Sequence, residues 1–458
     1  MEIFSYNTII SLIIFNLLLK VQLKIILNKD SQISITIKGR GNQKILLDQT
    51  LVGMDGVPRR ISYNPSKIYV NEVLQNYTGK MVYNLENDLN NITMIFNSLI
   101  TNAGGMFINM ENITKIDLSK FNSSAITYMG YMFYGCISLI SLNLVNLDTS
   151  LVKYMNHMFY NCKSLKSLDL SNLNTSSLID MYCMFSLCNS LEYLNINIDT
   201  SLVTSMSNIF YECFLLKELN ISKINTSSLK DTIQMFYSCT SLKFLDIINF
   251  NTSSVINMEF MFFNCSSLLS LNLMNFDTSL VTNMNSMFRK CYSLKSLNLN
   301  NFNTSSLINM IAMFWECSSL ISLDLSNFNT SLVTNMYAMF AFCYSLKSLN
   351  LNNFNTSSLI NMIAMFYDCN SLISFDLSSF KTSLMEDMNS IFDECTSLLS
   401  LKIDNFDTSL VTNMQDIFSR CNSLISLNLK SFNTSKVVNM NGMFNDCNSN
   451  LTICIKKQ

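Results

Sequence analysis

Leu297 and Leu299 alternate about Asn298 in the run L-K-S-L-N-L that begins at Leu294. Period-2 alternation predicts a short strand with one buried face. Leu294 and Phe302 close the apolar edge on either side of it. The polar stretch Asn303–Ser306 (N-T-S-S) follows, with side chains that bond their own backbone and turn the chain without glycine. Met310, Met313 and Phe314 then fall at i, i+3 and i+4, which predicts one helical turn or a 3₁₀ segment across the back.

This pattern recurs. A phenylalanine preceded by Met or Ile returns from Phe107 to Phe444 at intervals of 26 residues, except for one interval of 25 between Phe185 and Phe210. Written from its cysteine, the unit is C-x-S-L-x-x-L-x-L-x-x-F-[ND]-T-S-x-x-x-x-M-x-x-M-F-x-x. The stretch from Cys291 to Phe314 recurs letter for letter from Cys343 to Phe366, and alternate coils there read T-S-L-V-T-N-M and T-S-S-L-I-N-M. A period of this length around L-x-x-L-x-L falls in the leucine-rich-repeat range. One coil cannot bury its apolar residues alone; stacked coils bury them against each other along a continuous axis. The expected architecture is a repeat solenoid, a leucine-rich-repeat-like stack of about 14 coils of 26 residues with one parallel sheet. From Thr149 to Thr434 the turn threonine is followed by serine in every coil, which predicts a hydroxyl ladder satisfying backbone groups between coils.

Residues 28–94 read differently. Ile33, Ile35 and Ile37 alternate, Gly39–Asn42 (G-R-G-N) makes a turn, and Pro65–Asn76 carries another strand. This predicts a small β-rich unit capping the N-terminal end of the solenoid at residues 95–458. Ahead of it, residues 1–27 hold an apolar run, Ile9–Leu19, of the length of a secretory signal core. A cleaved signal peptide, an uncleaved signal anchor and a buried first strand are the three readings of that segment. At the far end N-S-N-L-T-I-C-I-K-K-Q leaves the repeat and suits a closing strand.

Composition narrows the chemistry. The formal net charge of −2 removes the electrostatic case for nucleic acid, which needs a basic stripe. Only one histidine, His157, is present, in a variable slot read as surface without function. Thirteen of the 15 cysteines occupy one repeat column, from Cys136 to Cys447, and only Cys183 and Cys454 lie off it. None is spaced as a C-x-x-C zinc pair. The column is read as a ladder of buried structural thiols, with inter-coil disulfides as the alternative. Neither a metal nor another cofactor is expected, and the one-per-coil methionines are read as core.

The coil that runs Cys317, Leu320, Leu323, Leu325, Phe328, Thr330, Met336, Met339, Phe340 resembles the BspA-like leucine-rich-repeat surface proteins. That group includes mycoplasma-lipoprotein-type repeats of unknown function and is widespread in protists. The resemblance covers about four-fifths of the chain. It implies a surface or secreted array contacting host proteins, matrix or other cells, and brings no catalytic residues. No cysteine lies near the N-terminus to match the lipid-attachment cysteine of the bacterial lipoproteins.

One column varies in a way that suggests binding. Two residues before the cysteine stand Tyr134, Tyr160, Tyr211, Tyr237, Phe263, Trp315 and Tyr367, with Ser, Arg, Ala, Asp or Asn in the other coils. Exposed aromatics commonly anchor interfaces and carbohydrate sites; rings lying over a neighbouring coil are the bland alternative. Sequons at Asn76, Asn91, Asn112, Asn174, Asn225, Asn251, Asn303, Asn329, Asn355 and Asn433 are candidate glycosylation sites if the chain enters a eukaryotic secretory pathway. The functional expectation is a non-enzymatic, secreted or cell-surface interaction or adhesion protein. Its partners would be extracellular proteins or glycans, with any membrane contact made only through an N-terminal signal anchor. A polysaccharide-active solenoid enzyme is the alternative; it needs clustered carboxylates, and the nearest pair, Glu386 and Asp387, are sequence neighbours whose side chains diverge.

Overall fold

The computed structural model describes residues 31–52, 58–76, 79 and 81–456. The apolar run Ile9–Leu19 lies outside the described residues. The first eight strands precede the coils: β1 (Ser31–Lys38), β2 (Gly41–Lys44), β3 (Asp48–Val52), β4 (Pro58–Ser62), β5 (Lys67–Val70), β6 (Val73–Leu74), β7 (Val82–Leu85) and β8 (Leu89–Phe96). Strand β1 buries Ile33, Ile35 and Ile37 on one face, as alternation requires. Asn71 and Glu72, both left-handed with φ of 49° and 70°, close the tight β5–β6 hairpin, where two positive-φ residues match the twist of the strands.

Most coils supply one strand: β9 (Ile113–Asp117), β10 (Ser141–Asn143), β11 (Ser167–Asp169), β12 (Tyr193–Asn195) and β13 (Glu218–Asn220). They continue with β14 (Ser322–Asp324), β15 (Ser348–Asn350), β16 (Ser374–Asp376), β17 (Ser400–Lys402), β18 (Ser426–Asn428) and β19 (Thr452–Cys454). The three coils between β13 and β14, including that of Leu297 and Leu299, form none. Strand β1 runs antiparallel to both β8 and β9, and β9 is parallel to β10, so the N-terminal strands share a sheet with the first coils. Farther along, the parallel ladder breaks into runs of three (β11–β13), two (β14, β15) and four (β16–β19) strands. Between β13 and β14, single bonds such as Leu269 N–H to Lys243 C=O (3.1 Å) hold the register.

The back of each coil departs from the sequence expectation. Among the described residues there is no helix; Met310, Met313 and Phe314 lie in a string of reverse turns. The coil around Phe133 shows why. Met132, Tyr134 and Cys136 donate to carbonyls three residues back within the coil, at 3.1–3.3 Å. The alternate residues Met129, Tyr131, Phe133 and Gly135 donate instead to Tyr154, Asn156, Met158 and Tyr160 of the next coil, at 2.8–3.0 Å. A helix would direct every N–H into its own coil. Reversing alternate N–H groups requires left-handed residues, and they stand two before and two after the phenylalanine, as at Tyr131 (φ 60°) and Gly135 (φ 70°). Each non-glycine residue there costs about 1–2 kcal/mol of local strain, offset by the bond to the neighbouring coil.

Three columns run through the interior. The phenylalanines from Phe107 to Phe444 form an unbroken ring stack, each pair 5.3–6.0 Å apart between centroids. Offset stacking adds about 0.5–1.5 kcal/mol per pair to the area buried. Beside it, every column cysteine donates its thiol to the carbonyl of the phenylalanine one coil back, as in Cys317 Sγ to Phe288 O at 3.1 Å. Small size is therefore half of the reason for cysteine; the S–H also satisfies a buried carbonyl. All fifteen cysteines are free, without a disulfide. Burial pushes the thiols up, to about 12 at Cys136, Cys188, Cys291, Cys343 and Cys395.

The third column is the threonines. Thr330 Oγ1 donates to Asn355 O at 2.9 Å, and the same geometry repeats from Thr149 to Thr408. At six rungs the hydroxyl also accepts a backbone N–H of that next coil, as from Asn329 to Thr304 at 2.7 Å. Ahead of it the Asn or Asp side chain accepts the N–H of the serine two residues on, closing each turn, as Asn303 does from Ser305 at 3.1 Å.

Two measurements follow from these columns. Thr330→Val keeps the shape but leaves the Asn355 carbonyl without its donor, and should cost about 1–3 kcal/mol in urea unfolding. With a disulfide-exchange reagent at pH 8 the native chain should release about one fast equivalent, from the exposed Cys454, and all 15 only after denaturation.

Candidate functional site

The aromatic column lies on the flank of the turn-built back, directly after the buried phenylalanine. Its seven aromatic residues are all half-buried. Tyr134 and Tyr160 stack at 4.7 Å and 3°. Tyr211, Tyr237 and Phe263 form a second stack at 4.6 and 4.4 Å. Arg289 extends it: its guanidinium carbon is 5.7 Å from the Phe263 ring and 4.0 Å from that of Trp315. A planar cation between two rings adds about 0.5–2 kcal/mol. The rings therefore stack on one another across coils, leaving one edge to solvent. The column breaks at Ser186, between Tyr160 and Tyr211, and at Ala341, between Trp315 and Tyr367.

Beyond Tyr367 the flank turns ionic. Arg420 holds Asp393 at 3.0 Å and Glu394 at 2.9 Å, and Tyr367 donates its hydroxyl to Glu394 at 3.3 Å. Burial, then the Glu394 charge, pushes the Asp368 carboxyl up to about 6. Sequence reading missed this group because its members come from different coils. The pair it did single out is structural: Asp387 accepts the Asn389 N–H at 2.8 Å and the Asn413 amide at 3.0 Å, while Glu386 is exposed.

His157 does not stand alone on the surface. Its ring stacks on Tyr131 at 4.6 Å and 8°, with Tyr160 at 5.6 Å and Tyr182 at 5.2 Å. The slot two residues before Phe159 faces its counterparts in adjacent coils, which spacing within one coil does not reveal. Burial lowers the imidazole to about 4, and its Nδ1 has no hydrogen-bond partner.

On another face, either side of the buried Val or Leu that follows the turn, apolar residues alternate diagonally from coil to coil. Leu280, Ile308, Leu332 and Ile360 are each about half exposed (53, 47, 51 and 55%). Ser306 and Ser358 fill the leucine position in the intervening coils and donate to Ser279 and Ser331 carbonyls at 2.7 and 2.8 Å. The ten sequon asparagines are all exposed. Seven of them (Asn174, Asn225, Asn251, Asn303, Asn329, Asn355 and Asn433) hold the Asx turns of the threonine edge. The Asn112 amide is bonded to Gln43 at 2.9 Å. Among the described residues there is no group of three or more His, Cys, Asp or Glu placed to hold a metal ion, and no helix long and apolar enough to cross a membrane.

Repeated coils, parallel strands and a continuous stacked core define a leucine-rich-repeat solenoid, an architecture suited to interaction through an extended surface. A family model described as "Mycoplasma protein of unknown function, DUF285" matches residues 76–197, 184–297, 268–374, 291–399 and 371–452, and the chain belongs to that family. No curated protein matches by sequence. Among solved structures, the chain is similar to a leucine-rich repeat protein from Eubacterium ventriosum, at 14% identity over 62% of this chain and 83% of that one (TM-score 0.32). It is similar to the T. pallidum leucine-rich repeat protein at 19% identity over 48% and 72% (TM-score 0.21). It is also similar to TLR13 in a complex with ssRNA13, at 21% identity over 67% of this chain and 45% of that one (TM-score 0.27).

The lone histidine gives a direct check on the tyrosine cluster. Its pKa is about 4 folded against 6.5 unperturbed, so protonation opposes folding. Its contribution is intact above about pH 6.5 and lost as pH falls toward 4. The imidazole C–H signal in NMR should therefore titrate near 4 in the native chain; a midpoint near 6.5 would place the ring in water.

Proposed function

We propose that this chain is a non-enzymatic interaction protein, secreted or displayed on a cell surface, that binds extracellular proteins or glycans along the flank of its solenoid. One observation carries the reading: the contrast between columns. The Phe, Cys, Thr and Met columns scarcely vary and are buried in all but the last coil, while the flank column takes Tyr, Phe, Trp, Arg, Ala, Asp, Ser and Asn in turn. Its rings and Arg289 are half-buried, Ser186, Ala341, Asp393 and Ser419 are buried, and Asn445 is exposed. A fixed core under a varied flank lets one scaffold carry many surfaces. Aromatic side chains that present a ring edge at low conformational cost are the residues interfaces favour. The family match and the repeat architecture support an interaction role in general; the extracellular setting rests on the resemblance to surface arrays and on the apolar N-terminal run.

Protease added to intact cells should remove the protein, and protection would overturn the surface placement. Purified chain should bind extracellular-matrix proteins or arrayed glycans. The triple variant Tyr211→Ser, Tyr237→Ser, Phe263→Ser should weaken that binding at least about tenfold, each lost anchor being worth 1–2 kcal/mol. Serine already stands in this column at Ser186 and Ser419, so the variant coils should still stack.

A further inference from the structure

Two columns of large side chains fill the flank around Phe133 and Phe159: Tyr131 and His157 two residues before the phenylalanine, Tyr134 and Tyr160 one after it. Around Phe340 the same lattice positions hold alanine. Ala312, Ala338 and Ala364 replace the first pair, and Ala341 replaces the ring between Trp315 and Tyr367. The backbone does not demand this. Ala338 has φ 50°, and Tyr131, His157 and Phe260 adopt 60°, 54° and 54° at the equivalent position. Ala338, Ala341 and Ala364 line a cleft of about 320 Å³, and of the three only Ala364 is itself partly exposed.

Aromatic residues line that cleft. Trp315 lies 6.1 Å from Tyr337 and 6.0 Å from Phe342, and Phe342 meets Tyr367 at 5.0 Å and 80°. Asn389 and Ser390 supply its polar part, and no lining residue carries a charge. The other side of Trp315 is engaged by Arg289 at 4.0 Å. The Phe342 ring stands in the rung between Trp315 and Tyr367 and Ala341 is buried, so the open part of the cleft lies toward the half-buried Ala364. The size of the cleft is at the lower end for small-ligand sites.

We propose that this cleft binds a single pyranose ring of a neutral glycan. The apolar C–H face of the sugar lies on the aromatic walls, and its hydroxyl edge meets the Asn389 amide and the Tyr337 and Tyr367 phenols. A hydrocarbon or aromatic ligand would cover those polar groups without replacing their water. The uncharged lining gives no counter-charge for an acidic sugar or an ammonium group. The proposal deepens the interaction reading above and rests on it for the glycan's source.

Trp315 is the only tryptophan of the chain, so its fluorescence reports on this cleft alone. Methyl glycosides of glucose, galactose, mannose and N-acetylglucosamine are titrated against the full chain, with phenol and choline as the aromatic and cationic arms. The expected result is a saturable change with at least one glycoside, half-complete at ~1 mM, the scale of a few kcal/mol from one ring. Ala364→Tyr fills the cleft from its partly exposed side, at a φ of 54° close to the 60° of Tyr131 in the equivalent position. It should weaken the response at least tenfold while leaving the urea midpoint within error. Asn389→Ala, which leaves the cleft open, should weaken it severalfold and serves if the tyrosine variant does not fold. No saturable change with any glycoside, a response untouched by either variant, or saturation by phenol or choline in place of sugar would overturn the proposal. Loss of the sugar response with matrix binding retained would leave the broader function standing; sugar binding without attachment to any extracellular surface would do the reverse.

Discussion

The solenoid depends on one constraint: alternate backbone N–H groups along the back of each coil have no partner within that coil. The next coil supplies them, through Met158 and Tyr160 carbonyls for Phe133 and Gly135, and likewise along the array. An unpaired buried N–H costs on the order of 1–3 kcal/mol, so an isolated coil is unstable twice over, in its backbone and in its exposed core. The left-handed residues flanking every phenylalanine are the local strain that makes this sharing work. Cysteine and threonine complete it, each delivering a side-chain hydrogen to a carbonyl of a neighbouring coil, one pointing backward along the chain and the other forward.

That constraint separates what the array must keep from what it is free to change. The sharing runs through main-chain atoms, so a position two residues before the phenylalanine accepts Tyr, His, Cys, Ala, Asp or Phe with the same φ. Side chains on the flank can then be exchanged coil by coil without disturbing the stack. Both the tyrosine-packed region near His157 and the alanine-lined cleft near Ala364 are products of that freedom.

Much of this was legible in the sequence. A period of 26 and the Thr-Ser turn gave the coil and the hydroxyl ladder, and Leu297 and Leu299 are buried as their alternation requires, although their own coil forms no strand. The back was not. Met310, Met313 and Phe314 satisfy helical spacing, but two successive turns place them on one side equally well, and which of the two occurs depends on bonds to another coil. The same blindness applied to the flank. Arg289 between Phe263 and Trp315, Arg420 between two carboxylates and the tyrosines around His157 are all relations between residues about one period apart. Laying the repeats beneath one another gives the columns, but not whether their side chains touch.

The diagonal alternation of Leu280, Ile308, Leu332 and Ile360 bears on how such a gene can change length. Unequal exchange between the identical segments at Cys291 and Cys343 adds or removes 52 residues, a pair of coils. Every ladder closes again in register, and each leucine still lies beside a serine of the adjoining coil. An exchange of one coil also restores the backbone bonds but sets like on like across the junction. Like already stands on like at Ser228 and Ser254 and at Leu384 and Leu410, so over residues 278–362 alone the surface repeats with twice the period of the fold.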